Sequence, residues 1–449
     1  MTTQIFMAST LYGTATLAAA LDAGCFDSAD RRILLVSNNA ATPETAPAVD
    51  EMPGFEQLRD RFDDVVSWNE AIFPFHPGGW SPRKDDVPLW ERYVRMLWDL
   101  GEDDVALAVE SIQVNPALGV AQIFTGAPIT VYADGLMSYG PTRNKIDPLV
   151  GTRVERLLHL DLVPGLKPLL LTEFDVEPEL VPTADFIKVL AELVDTGAEL
   201  PHVEESEEPA LLLGQYLSAL GILSAEEEEN LHVRMLRGAV GLGRTRVLFK
   251  PHPSAPARFT RKLEQEAERL GANLTVVDTP VLAEVLYQRM RPALVVGCFS
   301  TGLLTASALY GLPVARVGTD LLLERLTPFE NSNRVPVTIV DALLPEVTDR
   351  AAVADQRQGM EVDRLTELLR TVGYAMQSKI YPDLRPAAEQ YLRKHLNQQT
   401  WRYFKRRRLT SLALPGAVPT QLAFIPRNAT VRRVVRRARA LRRGGTARR

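Results

Sequence analysis

TRVLFKPHP at residues 245–253 and ALVVGCFSTGLLTAS at 293–307 read as two strand-to-helix turns, each able to handle a phosphate, with a charged helix, a strand and a second helix between them. In the first, Pro251 and Pro253 fix their own φ angles and push Lys250 and His252 toward extended geometry. The imidazole is therefore aimed from the strand tip. A histidine titrates near neutrality and can give a proton to a departing phosphate, while Lys250 adds a point charge for the same anion. The plainer alternative is a turn histidine capping a βα loop. In the second turn, Ala293–Val296 suits a buried parallel strand, Gly297 breaks it, and Ser300 is placed to N-cap a helix running through Tyr310. Free backbone N–H groups and the helix dipole at such a start favour an anion, and the Ser300 and Thr301 hydroxyls add donors. Simple capping, with Cys298 as a small core residue, is the competing explanation.

Outward from this stretch the alternation of strand and helix continues in both directions. From Ala210 the pattern is strand ALLL, loop Gly214-Gln215-Tyr216, helix 225–236, strand 247–249, helix 258–270, strand 274–277, helix 281–289, strand 293–296, helix, strand 313–317. That is a parallel-sheet domain. Glu284, in the helix after Pro280, is a candidate for the ribose hydroxyls of a nucleotide and equally a surface helix residue. The first half opens the same way: strand 4–8, a loop STLYG at 9–13, helix 14–23, strand 32–37. Gly13 allows close backbone approach at a strand's carboxyl end. No GxGxxG is present, so a dinucleotide is not indicated. Further strands are expected at 65–68, 105–109, 128–132, 153–162 and 168–174, and helices at 55–61, 89–100, 116–124 and 184–194. His76-Pro77 lies in a long loop, without a buried strand before it.

The strand at 128–132 runs into Ala133-Asp134-Gly135. A carboxylate at the carboxyl end of a parallel strand sits where open α/β sheets keep their ligands, and Asp134 can there take a proton from a hydroxyl; an Asx turn or helix cap is the alternative.

The chain has 449 residues, enough for two or more domains, with 46% hydrophobic and 24% charged residues as in an ordinary globular protein. Its net charge of -5 conceals an asymmetry: residues 401–449 hold 15 Lys and Arg and no acid, leaving 36 bases against 56 acids, or -20, in residues 1–400. Cys25 and Cys298 show no metal or disulfide spacing, and the six histidines form no HxxxH pair, so no metal is expected. The N-terminus lacks a signal-peptide pattern and no apolar run approaches a membrane span, which gives a cytoplasmic expectation. In the tail, KRRR at 405–408 is followed by a segment 430–443 with Val431, Val434, Val435, Ala438 and Leu441 on one helical face and arginines on the other. That suits an anionic membrane surface, against solvated disorder; nucleic acid is disfavoured by the acidic body. The boundaries expected are a first Rossmann-like domain on the acceptor side at 1–165, an interdomain segment at 166–208, a nucleotide-donor-binding Rossmann-like domain at 209–380, a returning helix at 381–400 that braces the first domain, and the basic tail.

These residues resemble the bacterial alpha-2,8-polysialyltransferase family, itself similar in design to other bacterial sialyltransferases. The family's acidic-acidic-Gly, HP and Ser/Thr motifs fall on Ala133-Asp134-Gly135, His252-Pro253 and Ser300-Thr301; STLYG, GQYL at 214–217 and KPHP also match, over about residues 1–320. The resemblance implies a GT-B fold, a CMP-sialic acid donor, a glycan acceptor in cell-surface polysaccharide synthesis, inversion at the anomeric carbon and no cofactor or metal. It makes Asp134 the general base, His252 the general acid, Ser300 and Thr301 the phosphate cradle, and Lys250 and Glu284 nucleotide contacts. Pro253, Gly214 and Gln215 fall on the donor side, Gly13 and Gly135 in loops near the site. The first acid of the family's motif is replaced by Ala133, which leaves open whether Asp134 substitutes for it. Two other readings remain at this point: a teichoic-acid-type transferase using CDP-glycerol or CDP-ribitol, and a non-catalytic nucleotide-sugar-binding protein.

Overall fold

The computed structural model describes residues 1–194, 200–201, 208–252, 258–356 and 359–417. Seven parallel strands form the first sheet: β1 (Thr2–Ala8), β2 (Arg31–Val36), β3 (Asp64–Ser67), β4 (Asp104–Glu110), β5 (Ile129–Ala133), β6 (Val154–His159) and β7 (Pro178–Leu180), in the spatial order β3-β2-β1-β4-β5-β6-β7. The second sheet has five, β8 (Ala210–Leu213), β9 (Arg246–Lys250), β10 (Asn273–Val276), β11 (Leu294–Gly297) and β12 (Val314–Arg316), also all parallel, in the order β10-β9-β8-β11-β12. Each sheet reverses its winding once, between β1 and β4 and between β8 and β11. Open α/β sheets bind ligands beyond the strand ends at that reversal. Two Rossmann-like domains facing across a cleft are the GT-B architecture.

Alternation along the central strands explains the packing. Ile5, Met7, Leu107, Val109 and Val131 point into one core layer; Phe6, Ala8, Ala108 and Tyr132 point to the other face, whose apolar cluster continues through the second domain without a break. The helix Leu11–Asp22 lies on this second face, with Leu17, Ala18 and Ala19 fully buried. It starts earlier than expected, because the Thr10 hydroxyl accepts the Gly13 N–H at 2.9 Å and draws Leu11–Gly13, the end of STLYG, into its first turn.

The run 168–174 is not a strand. Leu169–Leu171 are buried, but Leu171 and Asp175 take left-handed φ values of 64° and 57°, so the chain turns over the domain edge and pairs only afterwards, as β7. Between residues 318 and 381 the sequence pattern announced no elements, yet the chain forms helices Thr319–Arg325, Arg334–Leu343 and Val362–Met376. This region reaches the first domain, and so does Tyr381, the first residue of the segment expected to return. The Tyr381 hydroxyl accepts the Thr142 N–H at 2.9 Å and donates to Glu173 at 2.6 Å, and the Gln377 amide donates to the Arg143 carbonyl at 2.7 Å. Arg385–His395 packs on the outside of Val362–Met376.

The described start of the basic tail is part of the folded body. Tyr403, Phe404, Leu409 and Leu414 are buried; Tyr403 and Arg402 both reach the buried Asp341, at 2.8 and 3.0 Å, and Arg408 caps the Ala375 and Met376 carbonyls. Segment 430–443 lies outside the described residues. No helix among those described is long and apolar enough to cross a membrane.

Candidate active site

The two sheet reversals face each other across one cavity of about 720 Å³, in the range that takes a nucleotide-sized ligand. Its first-domain wall carries Glu110, Tyr132, Asp134, Gly135 and Arg143; its second-domain wall carries Gly214, Gln215, Tyr216, His252, Ser300 and Thr301. The walls nearly touch. A Cβ on Gly135 would stand 3.3 Å from the Thr301 hydroxyl, so the absence of a side chain at Gly135 lets the two motif loops approach.

The second-domain wall is built as the sequence implies. Helix Thr301–Tyr310 is N-capped by Ser300, whose hydroxyl accepts the Gly302 N–H at 3.2 Å. Gln215, in the loop after β8, accepts the Phe299 N–H at 3.0 Å and so pins the two loops of the reversal together. The exposed His252 follows β9 and lies beside the Tyr216 ring, centroids 6.4 Å apart. Partial enclosure, then the Lys250 charge, hold its pKa below the ordinary value, against a weaker pull from Glu228.

Lys250 and Glu284 do not line the cavity. Glu284 is buried, accepts the Thr305 hydroxyl at 2.7 Å and feels the Lys250 charge; burial raises its pKa and lowers that of Lys250. Pro253 lies outside the described residues. His76 stays a loop residue: its Nε2 donates to the Ala40 carbonyl at 2.8 Å and its Nδ1 accepts the Gly78 N–H at 3.1 Å.

On the first-domain wall Asp134 follows β5, as its place in the sequence implied. A Cβ on Gly13 would stand 3.1 Å from the Tyr132 hydroxyl and 3.4 Å from an Asp134 carboxylate oxygen, so Gly13 leaves the room these groups occupy. Burial raises the Asp134 pKa. Three side chains here escaped the sequence reading. Glu110 ends β4, at the sheet's reversal; Tyr132 is its partner in the ladder; Arg143 comes from the loop after Gly140. Arg143 is half-buried and donates to the Ser332 hydroxyl at 3.2 Å, joining the domains beside the cavity. The usable signal for Glu110 was an acid closing the apolar strand VALAV, the same signal that marked Asp134.

Among the described residues no cluster of three or more His, Cys, Asp or Glu is arranged to hold a metal ion. The site's resources are two carboxyls, an imidazole, a guanidinium and a capped helix start.

The family model for Alpha-2,8-polysialyltransferase (POLYST) matches residues 4–319. The chain belongs to the alpha-2,8-polysialyltransferase family. It is a glycosyltransferase, and the matched span contains every residue named on the two walls. Among solved structures it is similar to a sialyltransferase from Photobacterium damselae, at 12% identity and TM-score 0.37 over 76% of this chain and 96% of that one. It is also similar to a mutant O-GlcNAc transferase of Thermobaculum terrenum, at 13% identity and TM-score 0.39 over 90% and 68%. A UDP-N-acetylglucosamine 2-epimerase gives 13% and 0.44 over 82% and 95%. No curated protein matches.

Proposed function

We propose that this glycosyltransferase moves a sialic or other nonulosonic acid from a CMP-activated donor to a hydroxyl of a glycan acceptor in cell-surface polysaccharide, with inversion and without a metal ion. The observation that carries the reading is the shared cavity: Asp134 lines it from one domain, and His252 with the Ser300–Thr301 helix start lines it from the other. A donor bound between them has its phosphate against the hydroxyls and the positive end of the Thr301–Tyr310 helix, where an anion is favoured. His252 gives that phosphate a proton as the glycosidic bond breaks. Arg143 is available for the carboxylate that a nonulosonic acid carries on its anomeric carbon. The acceptor hydroxyl loses its proton to a carboxyl on the first-domain wall, and a single displacement inverts the centre. Charge on the leaving group is thus met by fixed dipoles, hydroxyls and an imidazole.

A panel of CMP-linked nonulosonic acids and CDP-linked polyols, with CMP release followed, tests the reading. The expected result is acceptor-dependent CMP release from a CMP-nonulosonate, lowered about 10²–10⁴-fold in His252→Ala. Consumption of a CDP-polyol with CMP-sialic acid untouched overturns it. The tail segment 430–443 is proposed to hold the enzyme at an anionic inner membrane face, read out by co-sedimentation with anionic against neutral vesicles.

A further inference from the structure

Strand β5 ends at Ala133, and Asp134 follows it as the one acid at that strand end. The Ala133 methyl packs toward the core layer of Ile5, Met7 and Val131, on the face of the sheet opposite Tyr132. A second carboxyl nevertheless reaches the cavity, from the neighbouring strand. Glu110 pairs with Tyr132 in the β4–β5 register, the Tyr132 hydroxyl and the Asp134 carboxyl both lie beside Gly13, and Glu110 and Asp134 both line the cavity. We infer that Glu110 is the group that takes the proton from the acceptor hydroxyl, with Asp134 as its acidic neighbour. This deepens the proposed transferase reading and rests on it.

The hydrogen bonds around Glu110 suit a group that gains and loses a proton. The Ser9 hydroxyl donates to Oε1, which favours the carboxylate. Tyr132 has one hydroxyl proton; its short bond, 2.8 Å, goes to the Met7 carbonyl, and the longer arm, 3.3 Å, to Glu110 Oε2. Oε2 is thus weakly held and free to accept from a substrate or, once protonated, to donate to the phenol oxygen. Burial, then repulsion from Asp134, lift the Glu110 pKa to about 7, while Ser9 and Tyr132 pull it down. A base poised near the working pH transfers protons best. The other titratable side chains at this face are Tyr132, Tyr12 on the helix Leu11–Asp22, Arg143, and Tyr216 and His252 across the cavity.

The step balances as follows. The acceptor O–H bond breaks and its proton passes to a Glu110 carboxylate oxygen; the acceptor oxygen bonds to the donor's anomeric carbon. The bond from that carbon to the phosphate oxygen breaks, and its electron pair leaves with CMP.

The test is the pH profile of kcat/KM for transfer in wild type, Glu110→Gln, Glu110→Asp, Asp134→Asn and Ser9→Ala, with CMP affinity measured on each by calorimetry. Wild type is expected to gain activity with rising pH through about 7, as Glu110 ionises. Glu110→Gln is expected to lose about 10²–10⁴-fold in kcat and the acid limb with it, with CMP affinity within about twofold, and Glu110→Asp to recover part of the rate. Asp134→Asn removes the neighbouring charge and moves the limb to lower pH; Ser9→Ala removes a bond to the carboxylate and moves it higher. A Glu110→Gln enzyme that keeps rate and limb overturns the assignment alone. Loss of CMP binding in step with rate assigns Glu110 a structural role and also overturns it. A wild type that releases CMP from no donor overturns the transferase reading beneath it.

Discussion

Glu110 illustrates how a functional side chain works against the stability of its own fold. Its carboxyl releases its proton near 4.5 in an unstructured chain and near 7 in the folded cavity, because burial and the Asp134 charge disfavour the anion. Below about pH 4 both states hold the proton and the site costs nothing. As pH rises from there to about 7 the unfolded chain ionises first, so the folded state loses stability, and above about 7 the loss is complete at up to ~3 kcal/mol. Glu110→Gln is therefore expected to raise Tm over wild type at about pH 8 and to leave it unchanged near pH 4, while activity falls; equal shifts at both pH values would contradict the cavity's effect on this group. The His252 pKa is displaced downward, so burial and the Lys250 charge favour the neutral form there as well. The sequence made His252 and Asp134 legible because each follows an apolar strand at a turn. Glu110 obeys the same rule, but only the sheet order makes it the neighbour of Tyr132.

At the scale of elements, the turn into helix Thr301–Tyr310 does two jobs with two adjacent hydroxyls. Ser300 closes the helix by accepting the Gly302 N–H, whereas Thr301 faces Gly135 across the cavity. Ser300→Ala is expected to cost about 1 kcal/mol of stability through the lost cap and to raise the donor KM. Thr301→Ala is expected to raise the donor KM with Tm unchanged. Thermal melts beside donor titrations separate the two, and a Thr301→Ala enzyme with a lowered Tm and an unaltered KM would contradict this division. The capped helix was legible in the sequence because Gly-Cys-Phe-Ser-Thr breaks a strand and starts a helix by local chemistry. The run at 168–174 was misleading for the converse reason: its leucines are buried by the domain edge, and burial does not require an extended backbone.

For the whole molecule, part of the joint between the domains lies in residues the sequence pattern left blank. Helices Arg334–Leu343 and Val362–Met376 with Gln377 and Tyr381 tie the second domain to the first, and residues 401–417 then pack back on this joint. Compared with a chain cut after residue 417, a chain cut after residue 400 lacks four buried apolar side chains, each contributing ~1.5–3 kcal/mol, and is expected to melt more than ~5 °C lower. Equal melting of the two truncated chains would show that 401–417 adds nothing to the fold. The sequence by itself determined the two parallel-sheet domains and the turns that bear His252, Ser300, Thr301 and Asp134, since strand alternation, proline geometry and helix capping act over a few residues. Tertiary structure alone decided that β4 lies beside β5, that Glu110 joins Asp134 at one cavity, that Lys250 and Glu284 are not among its lining residues, and that residues 362–381 help bind the halves together. Those outcomes depend on which strand pairs with which and on burial between distant segments, and neither is written in any local run of the chain.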